Sequence, residues 1–302
     1  SREPPRSLTT SRAPRRAIDG TLGAGGHTRA LLEHGAGHVL SFDLDPQAIG
    51  IASQHLADFA GRVTIVHDSY AHMAAHAGAL GWQDGVDAIL LDLGVSSMQL
   101  DTAERGFAFS LEGALDMRFD PSSGGLTAAD IVNTWDADAL ADLFYEYGEE
   151  RDSRRLAHAI VKARPHHSTR QLADVIKSAA RIEKRSNPRA KPIHPATRIF
   201  QALRIAVNSE LEVVAQAIPA AIALLRPRGR LAVISFHSLE DRIVKQTFKD
   251  AAEEIISPPG MQLQEKRASV TLVTKKPIIA SDAEIEQNPR SRSAKLRVIE
   301  KL

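Results

Sequence analysis

Apolar and polar positions follow two different rhythms along this chain. In the first part, short apolar runs are separated by stretches with helical spacing. Ala17-Ile18-Asp19, 38–42, 63–66 and 86–91 are runs of this kind, the last followed by Asp92. Their length and β-branched content predict buried strands. Helices are predicted over 28–33 and from Pro46 to about 59, where Asp45 suits the N-cap and Pro46 the first helical position. Strands alternating with helices in this way predict a parallel sheet with right-handed crossovers.

The rhythm changes after Ser97. No convincing buried strand occurs again before His194, and helices are predicted over 128–147, 152–163 and 169–182. From 196 to 225, Ile199, Leu203, Val207, Leu211, Val214, Ile218, Ile222 and Leu225 recur at steps of three and four. That spacing predicts one long amphipathic helix, kinked at Pro219. An apolar run at 231–236 predicts a fifth strand, and 270–274 and 295–299 two closing strands. The expected architecture is α/β: a seven-stranded sheet domain interrupted by an all-helical insertion. Its boundaries fall at 17–97, 98–194 and 195–302, behind a basic leader over 1–16.

Composition narrows the class. Of 302 residues, 43% are hydrophobic and 25% charged, an ordinary globular balance that excludes general disorder. A net charge of +1 excludes a uniformly basic coat protein. The absence of cysteine excludes disulfides, thiolate zinc sites and a cysteine nucleophile. The longest apolar run, 218–225, is too short for a membrane span, so no membrane partner is expected. The leader holds five arginines and one acid, a mix that resembles a mitochondrial transit segment. Pro4, Pro5 and Pro14 oppose the amphipathic helix such a segment needs. A cytoplasmic location is therefore expected, with the mitochondrial matrix as the alternative. Positive charge is concentrated instead in 151–198, where thirteen Lys or Arg stand against three acids. A net +10 there, in a chain that is otherwise acidic, points to a polyanion surface. The bland alternative is a solvated basic face.

The candidate chemistry lies at the predicted strand ends. Asp19 leads into a turn with glycines at 20, 23, 25 and 26, followed by His27 and a helix. Glycine permits a sharp turn and close approach of the backbone to a ligand. Asp43, at the end of the next strand, suits the hydroxyls of a ribose. Together they indicate an adenosine-containing cofactor. A nicotinamide dinucleotide would favour a third glycine where Thr28 stands, whereas Asp19 suits a cationic cofactor such as S-adenosylmethionine. Asp92 and the loop to Ser96 and Ser97 belong at the same edge, as does Asp68. Ser257-Pro258-Pro259-Gly260 resembles an amino-methylation motif but lacks its aromatic residue and follows the fifth strand, so it reads as a loop. His158, His166, His167 and His194 fall in the basic segment without carboxylate partners at ligand spacing. No metal site is expected; surface or RNA-contacting histidines fit better. His237 also reaches the pocket edge, or else belongs to a helix cap around Ser238 and Asp241.

Several separated blocks resemble the RsmH (MraW) family, the cytosine-N4 methyltransferases of small-subunit ribosomal RNA. They are Asp19-Gly-Thr-Leu-Gly-Ala-Gly-Gly-His27, Phe42-Asp-Leu-Asp-Pro-Gln-Ala-Ile49 and Leu90-Leu-Asp-Leu-Gly-Val-Ser-Ser97. Gln99-Leu-Asp101, Arg105-Gly-Phe107, Leu115-Asp-Met-Arg118 and Tyr147-Gly-Glu-Glu-Arg151 follow. His194-Pro-Ala-Thr-Arg198, Val207-Asn-Ser-Glu210, Ile234-Ser-Phe-His-Ser-Leu-Glu-Asp-Arg242 and Asn288-Pro-Arg290 complete the ordered set. The resemblance implies a class I (Rossmann-like) methyltransferase fold that uses S-adenosylmethionine, with a helical insertion for RNA. It implies methylation of N4 of a decoding-region, P-site cytidine in 16S rRNA of the small ribosomal subunit. Cofactor contacts then fall on Gly25, Gly26, His27, Asp43, Tyr70, Asp92 and Gln99.

For the chemistry, Asp92 and Ser96 are the expected acceptors of the amino proton. Arg118, Arg151, Arg155, Arg198 and Arg242 are the expected RNA contacts, with intramolecular ion pairing as the alternative, above all for Arg151 beside Glu149 and Glu150. The chain departs from the family in three places. The usual His-x-Pro-Val-Leu-Leu-like run before the glycine turn is replaced by 1–16, and Ala114 and Met98 stand where prolines are common. Two other functional classes compete: a non-catalytic RNA-binding assembly factor on the same fold, and an NAD-dependent oxidoreductase. The oligomeric state, monomer or homodimer, is left open.

Overall fold

A computed structural model describes residues 13–180, 194–255 and 266–302. Most of the basic leader, Ile182 and the loop 257–260 lie outside these residues. The chain divides into two compact units, one made of the residues up to Gly94 with Leu211–Leu302, the other of Val95–Glu210.

The first unit opens with β1 (Arg16–Asp19), α1 (Gly26–Glu33), β2 (His38–Asp43) and α2 (Pro46–His55). It continues through β3 (Val63–His67), α3 (Met73–Ala79) and β4 (Val86–Asp92). The second unit contains α4 (Ser97–Asp101), α5 (Ala128–Thr134), α6 (Ala137–Glu146), α7 (Ser153–Lys162), α8 (Thr169–Ala179) and α9 (Ala196–Asn208). The chain returns through α10 (Glu210–Leu224), β5 (Leu225–Ser235) and α11 (Ser238–Ala252). It ends with β6 (Val270–Leu272), β7 (Ile278–Ile279), α12 (Asp282–Gln287) and β8 (Lys295–Lys301).

The strand order is β3-β2-β1-β4-β5-β8-β6, with β7 also paired to β8. β1 to β5 run parallel, and β8 is antiparallel to its neighbours. This is the expected α/β sheet with one strand more than the seven expected. The extra strand, β7, has two exposed isoleucines and no alternation that would mark it in the sequence. Side chains alternate between the faces, as strand geometry requires. Ala17, Val39 and Ala88 pack with Leu31, Leu32, Ala52 and Leu56 of α1, α2 and the turn after it. Ile18, Leu40, Ile89 and Leu91 pack with residues of α3, α10 and α11. Burial on both faces explains why these strands read as unbroken apolar runs.

The second unit has its own core. Leu156, Ala157 and Ile160 of α7, Leu172, Ala173 and Ile176 of α8, and Ile199, Phe200 and Leu203 of α9 meet in it. Each of its fully buried large side chains contributes about 1.5–3 kcal/mol. Two predicted helices are broken. The span 128–147 splits at Trp135, because Asp136 accepts from the backbone N–H of Ala139 at 2.7 Å and starts a new helix. The span 196–225 splits at Ser209, whose φ of 47° is left-handed. Asn208 is tied into the loop before α5: its side-chain nitrogen donates to the Met117 carbonyl, and its oxygen accepts from the Phe119 N–H at 2.7 Å. Pro219 sits inside α10.

Candidate cofactor site

In the sheet, β2 and β3 lie on one side of β1, and β4 and β5 on the other. The strand order therefore reverses between β1 and β4, and ligands of open α/β sheets bind in the crevice outside the carboxyl ends there. Asp19 and Asp92 are the last residues of those two strands, and Asp43 is the last of β2.

Asp19 is fully buried. It accepts from Thr28 Oγ1 at 2.7 Å and from the Thr21 N–H at 3.1 Å. Burial raises its carboxyl above the usual range, opposed first by the charge of His27. Asp19 thus organises the glycine turn from beneath. Thr28, where a dinucleotide turn would favour glycine, is equally buried and also bonds Ser41 Oγ at 2.8 Å. Sequence reading missed this role; the signal was a hydroxyl residue in the apolar phase of a helix.

Asp43 holds the other side of the turn. Its two oxygens accept from the N–H groups of Gly23 at 2.7 Å and Asp45 at 2.9 Å. Burial is the main cause of its raised pKa. Gly20 passes where no side chain fits: a Cβ there would run into the Leu91 side chain and come within 3.0 Å of Tyr70 Cβ. Gly25, at φ 85°, caps α1 without a side chain. Gly26 starts α1, with open space where a Cβ would stand.

His27 Nε2 lies 3.1 Å from Asp92 Oδ2. Asp92 donates its backbone N–H to Thr21 Oγ1 at 2.7 Å. Its second oxygen, Oδ1, is buried and has no hydrogen-bond partner among the described residues. A buried carboxylate oxygen without a donor is costly unless a ligand supplies one. Tyr70 packs half-buried against the sheet beside Gly20. Asp68 is committed elsewhere: His72 Nδ1 and His76 Nε2 bond its two oxygens at 2.9 and 2.8 Å. Partial burial opposes its ionisation, but the bonds from His76 and His72 hold its pKa at about 2.

One unit therefore carries Gly25, Gly26, His27, Asp43, Tyr70 and Asp92 along one sheet edge. Two carboxylates and one imidazole line it, with the Asp19 carboxyl buried beneath. That charge balance suits a cation and opposes the pyrophosphate of a dinucleotide.

Gln99 and Ser96 belong to the second unit. They form the capping box of α4: Ser96 Oγ accepts from the Gln99 N–H at 3.2 Å, and Gln99 Oε1 from the Ser96 N–H at 3.0 Å. At the start of α11 the expected cap around Ser238 and Asp241 is shifted by one residue. Glu240 accepts from the Phe236 N–H at 2.8 Å, with His237 Nε2 3.1 Å from its other oxygen. Asp241 instead binds Arg297 at 2.7 Å and Lys295 at 3.2 Å.

The five arginines differ. Arg118 is held bidentate by Asp116, at 3.0 and 2.6 Å. Arg155 bonds Asp152 at 3.2 Å, and Arg198 bonds Glu150 at 3.3 Å. The partner foreseen for Arg151 thus goes to Arg198. Arg151 itself is exposed and has no ion pair among the described residues. Arg242 is exposed on α11, in the first unit.

Comparison with known proteins places this chain in a family. The model of the "MraW methylase family" matches residues 7–302. A protein of Magnetococcus marinus named "Ribosomal RNA small subunit methyltransferase H" is 51% identical over 300 residues, covering 96% of this chain and 94% of the relative. Proteins of the same name from Heliobacterium modesticaldum and Dehalococcoides mccartyi are 46% and 49% identical, covering 94% and 95% of this chain and 92% and 81% of the relatives. A family match over nearly the whole length, with relatives this similar, means that the chain belongs to the MraW methylase family.

Proposed function

We propose that this chain methylates N4 of a decoding-region, P-site cytidine in 16S rRNA of the small ribosomal subunit, acting in the cytoplasm. The observation that carries the reading is the 51% identity, over nearly both full lengths, to a protein named for methylation of small-subunit ribosomal RNA. At the coarser level the chain is an rRNA methyltransferase, and its cofactor is S-adenosylmethionine. The crevice fits that cofactor. Asp92 Oδ1 is an orphaned acceptor for an ammonium group, and the two carboxylates favour its cationic centre. We assign the ribose hydroxyls to Asp43, as second bonds to oxygens that already accept from Gly23 and Asp45, and the adenine to Tyr70, with Gly25, Gly26 and His27 along the turn. Gln99 is the further contact implied by the resemblance.

When bound, S-adenosylmethionine supplies a methyl group activated by its sulfonium. The target nitrogen is a weak nucleophile, because its lone pair is delocalised into the cytosine ring. The chain's task is alignment and removal of a proton. As the N–C bond forms and the C–S bond breaks, the amino group gives up a proton to an acceptor. We assign that acceptor to the Ser96 loop while Asp92 Oδ1 holds the cofactor's ammonium group, and to Asp92 where that oxygen is left to the substrate. His27 fixes Asp92 Oδ2, so the carboxylate presents Oδ1 in one orientation. The target base leaves its stack at a cost of a few kcal/mol. Arg151 and Arg242, both exposed, offset part of this by holding phosphates. Arg118, Arg155 and Arg198, expected in the same role, are drawn into ion pairs with Asp116, Asp152 and Glu150. The test is methyl transfer from labelled S-adenosylmethionine to unmethylated small subunits. Cofactor binding without transfer to any RNA would instead favour the non-catalytic assembly factor.

A further inference from the structure

Four histidines lie in or beside the basic stretch of the second unit, and their surroundings separate them. His166 is buried, with Nε2 2.8 Å from the Ile160 carbonyl. His158 and His167 are exposed. His194 is half-buried and fixed from two sides. Its ring stacks on Phe109, with centroids 4.7 Å apart and planes inclined by 25°. Phe109 is itself held edge-on by Phe200 at 5.2 Å, a buried residue of α9. His194 Nδ1 accepts from the backbone N–H of Ala196 at 3.2 Å, the first residue of α9. That bond leaves the proton of the neutral ring on Nε2. Nε2 has no hydrogen-bond partner among the described residues.

An aromatic ring braced on a second ring, with a donor that has no partner among the described residues, is what single-stranded nucleic acid needs. Bases stack on such rings whatever their sequence, and a fixed N–H selects those that offer an acceptor. We propose that the Phe109–His194 pair is a stacking platform for an unpaired base of the substrate RNA. The base lies against the outer face of His194 and accepts from Nε2. This inference rests on the reading that the chain acts on ribosomal RNA. Its source is the ring geometry of the second unit, independent of the cofactor crevice.

Two variants of the full-length protein separate this role from a structural one. His194→Phe keeps a ring on Phe109 but removes the acceptor for the Ala196 N–H. His194→Asn keeps an acceptor but removes the ring. Affinity is measured by fluorescence anisotropy for a single-stranded RNA oligonucleotide of the decoding-region sequence, across a salt series. Cofactor affinity and Tm are read alongside. Loss of one stacked base weakens binding roughly 5- to 150-fold. We expect His194→Asn to weaken RNA binding in that range with an unchanged salt slope and unchanged cofactor affinity. His194→Phe weakens binding less, by roughly 2- to 12-fold, since it keeps the stack and loses one hydrogen bond to the base. If His194 only caps α9, the order reverses, with Phe the worse variant and Tm falling with it. That order, or unchanged RNA affinity for the Asn variant, overturns the platform while wild-type binding and methylation leave the functional reading standing. A wild-type protein that neither binds nor methylates the RNA overturns both.

Discussion

Asp92 gives one carboxylate oxygen to His27, at 3.1 Å, and the other is buried with no partner among the described residues. Asp92 closes β4, and His27 is the second residue of α1, the helix that follows β1. Their contact fixes the orientation of the acid at the end of β4.

Asp92→Asn tests that acceptor. The substitution keeps the shape and one oxygen but removes the charge. A hydrogen bond to a charged group is worth about 1.5–3 kcal/mol, so affinity for S-adenosylmethionine is expected to fall roughly 10- to 100-fold. Calorimetric titration reads this directly. Unchanged affinity would remove Asp92 from the cofactor site.

Gly20→Ala is expected to destabilise the protein by about 1–3 kcal/mol, the usual cost of an overpacked core site. The added Cβ meets Leu91 and Tyr70, so the cofactor site is displaced as well. Urea denaturation and cofactor titration should both register the change. A variant with native Tm and native affinity would show that the turn has slack the packing does not suggest.

Stability should carry a pH signature from Asp19. Its folded pKa is raised, chiefly by burial. A raised acid contributes stability below its unfolded pKa, and that contribution is lost as pH rises through the folded value. Asp19→Asn removes this loss. The Tm of the variant relative to wild type should therefore climb as pH rises from 4.5 to 8. A relative Tm that falls over this range would contradict the assignment.

Arg151 and Arg198 should respond differently. Arg151→Ala leaves Tm unchanged and reduces the slope of log affinity against log salt by about 0.7–0.9, the value for one phosphate contact. Arg198→Ala strips the cation from the buried Glu150 and costs about 1 kcal/mol of stability. Equal effects on Tm would mean that Arg151 is a structural residue.

The sequence showed the sheet where apolar runs are buried on both faces, as in β2 and β4, and the helices where apolar positions recur at three and four, as in α7 and α8. It hid the features set by single tertiary bonds. Apolar spacing continues from Val207 to Leu211, so nothing in the period marks the break that Asn208 makes with Met117 and Phe119. Asp136 did carry a local signal, an acid before a second helical run, but the longer period obscured it. In the site, the strand-end acids were legible because strand ends are. Which oxygen of each acid is already occupied was not. Asp68 looked as available as Asp92, until its oxygens proved to be held by His72 and His76.

The most direct test of the account is to incubate the protein with methyl-labelled S-adenosylmethionine and unmethylated small ribosomal subunits, then map the labelled nucleotide. The account predicts label on N4 of one cytidine in the decoding region. Bound cofactor with no label in the RNA, or label on another base or atom, would contradict it.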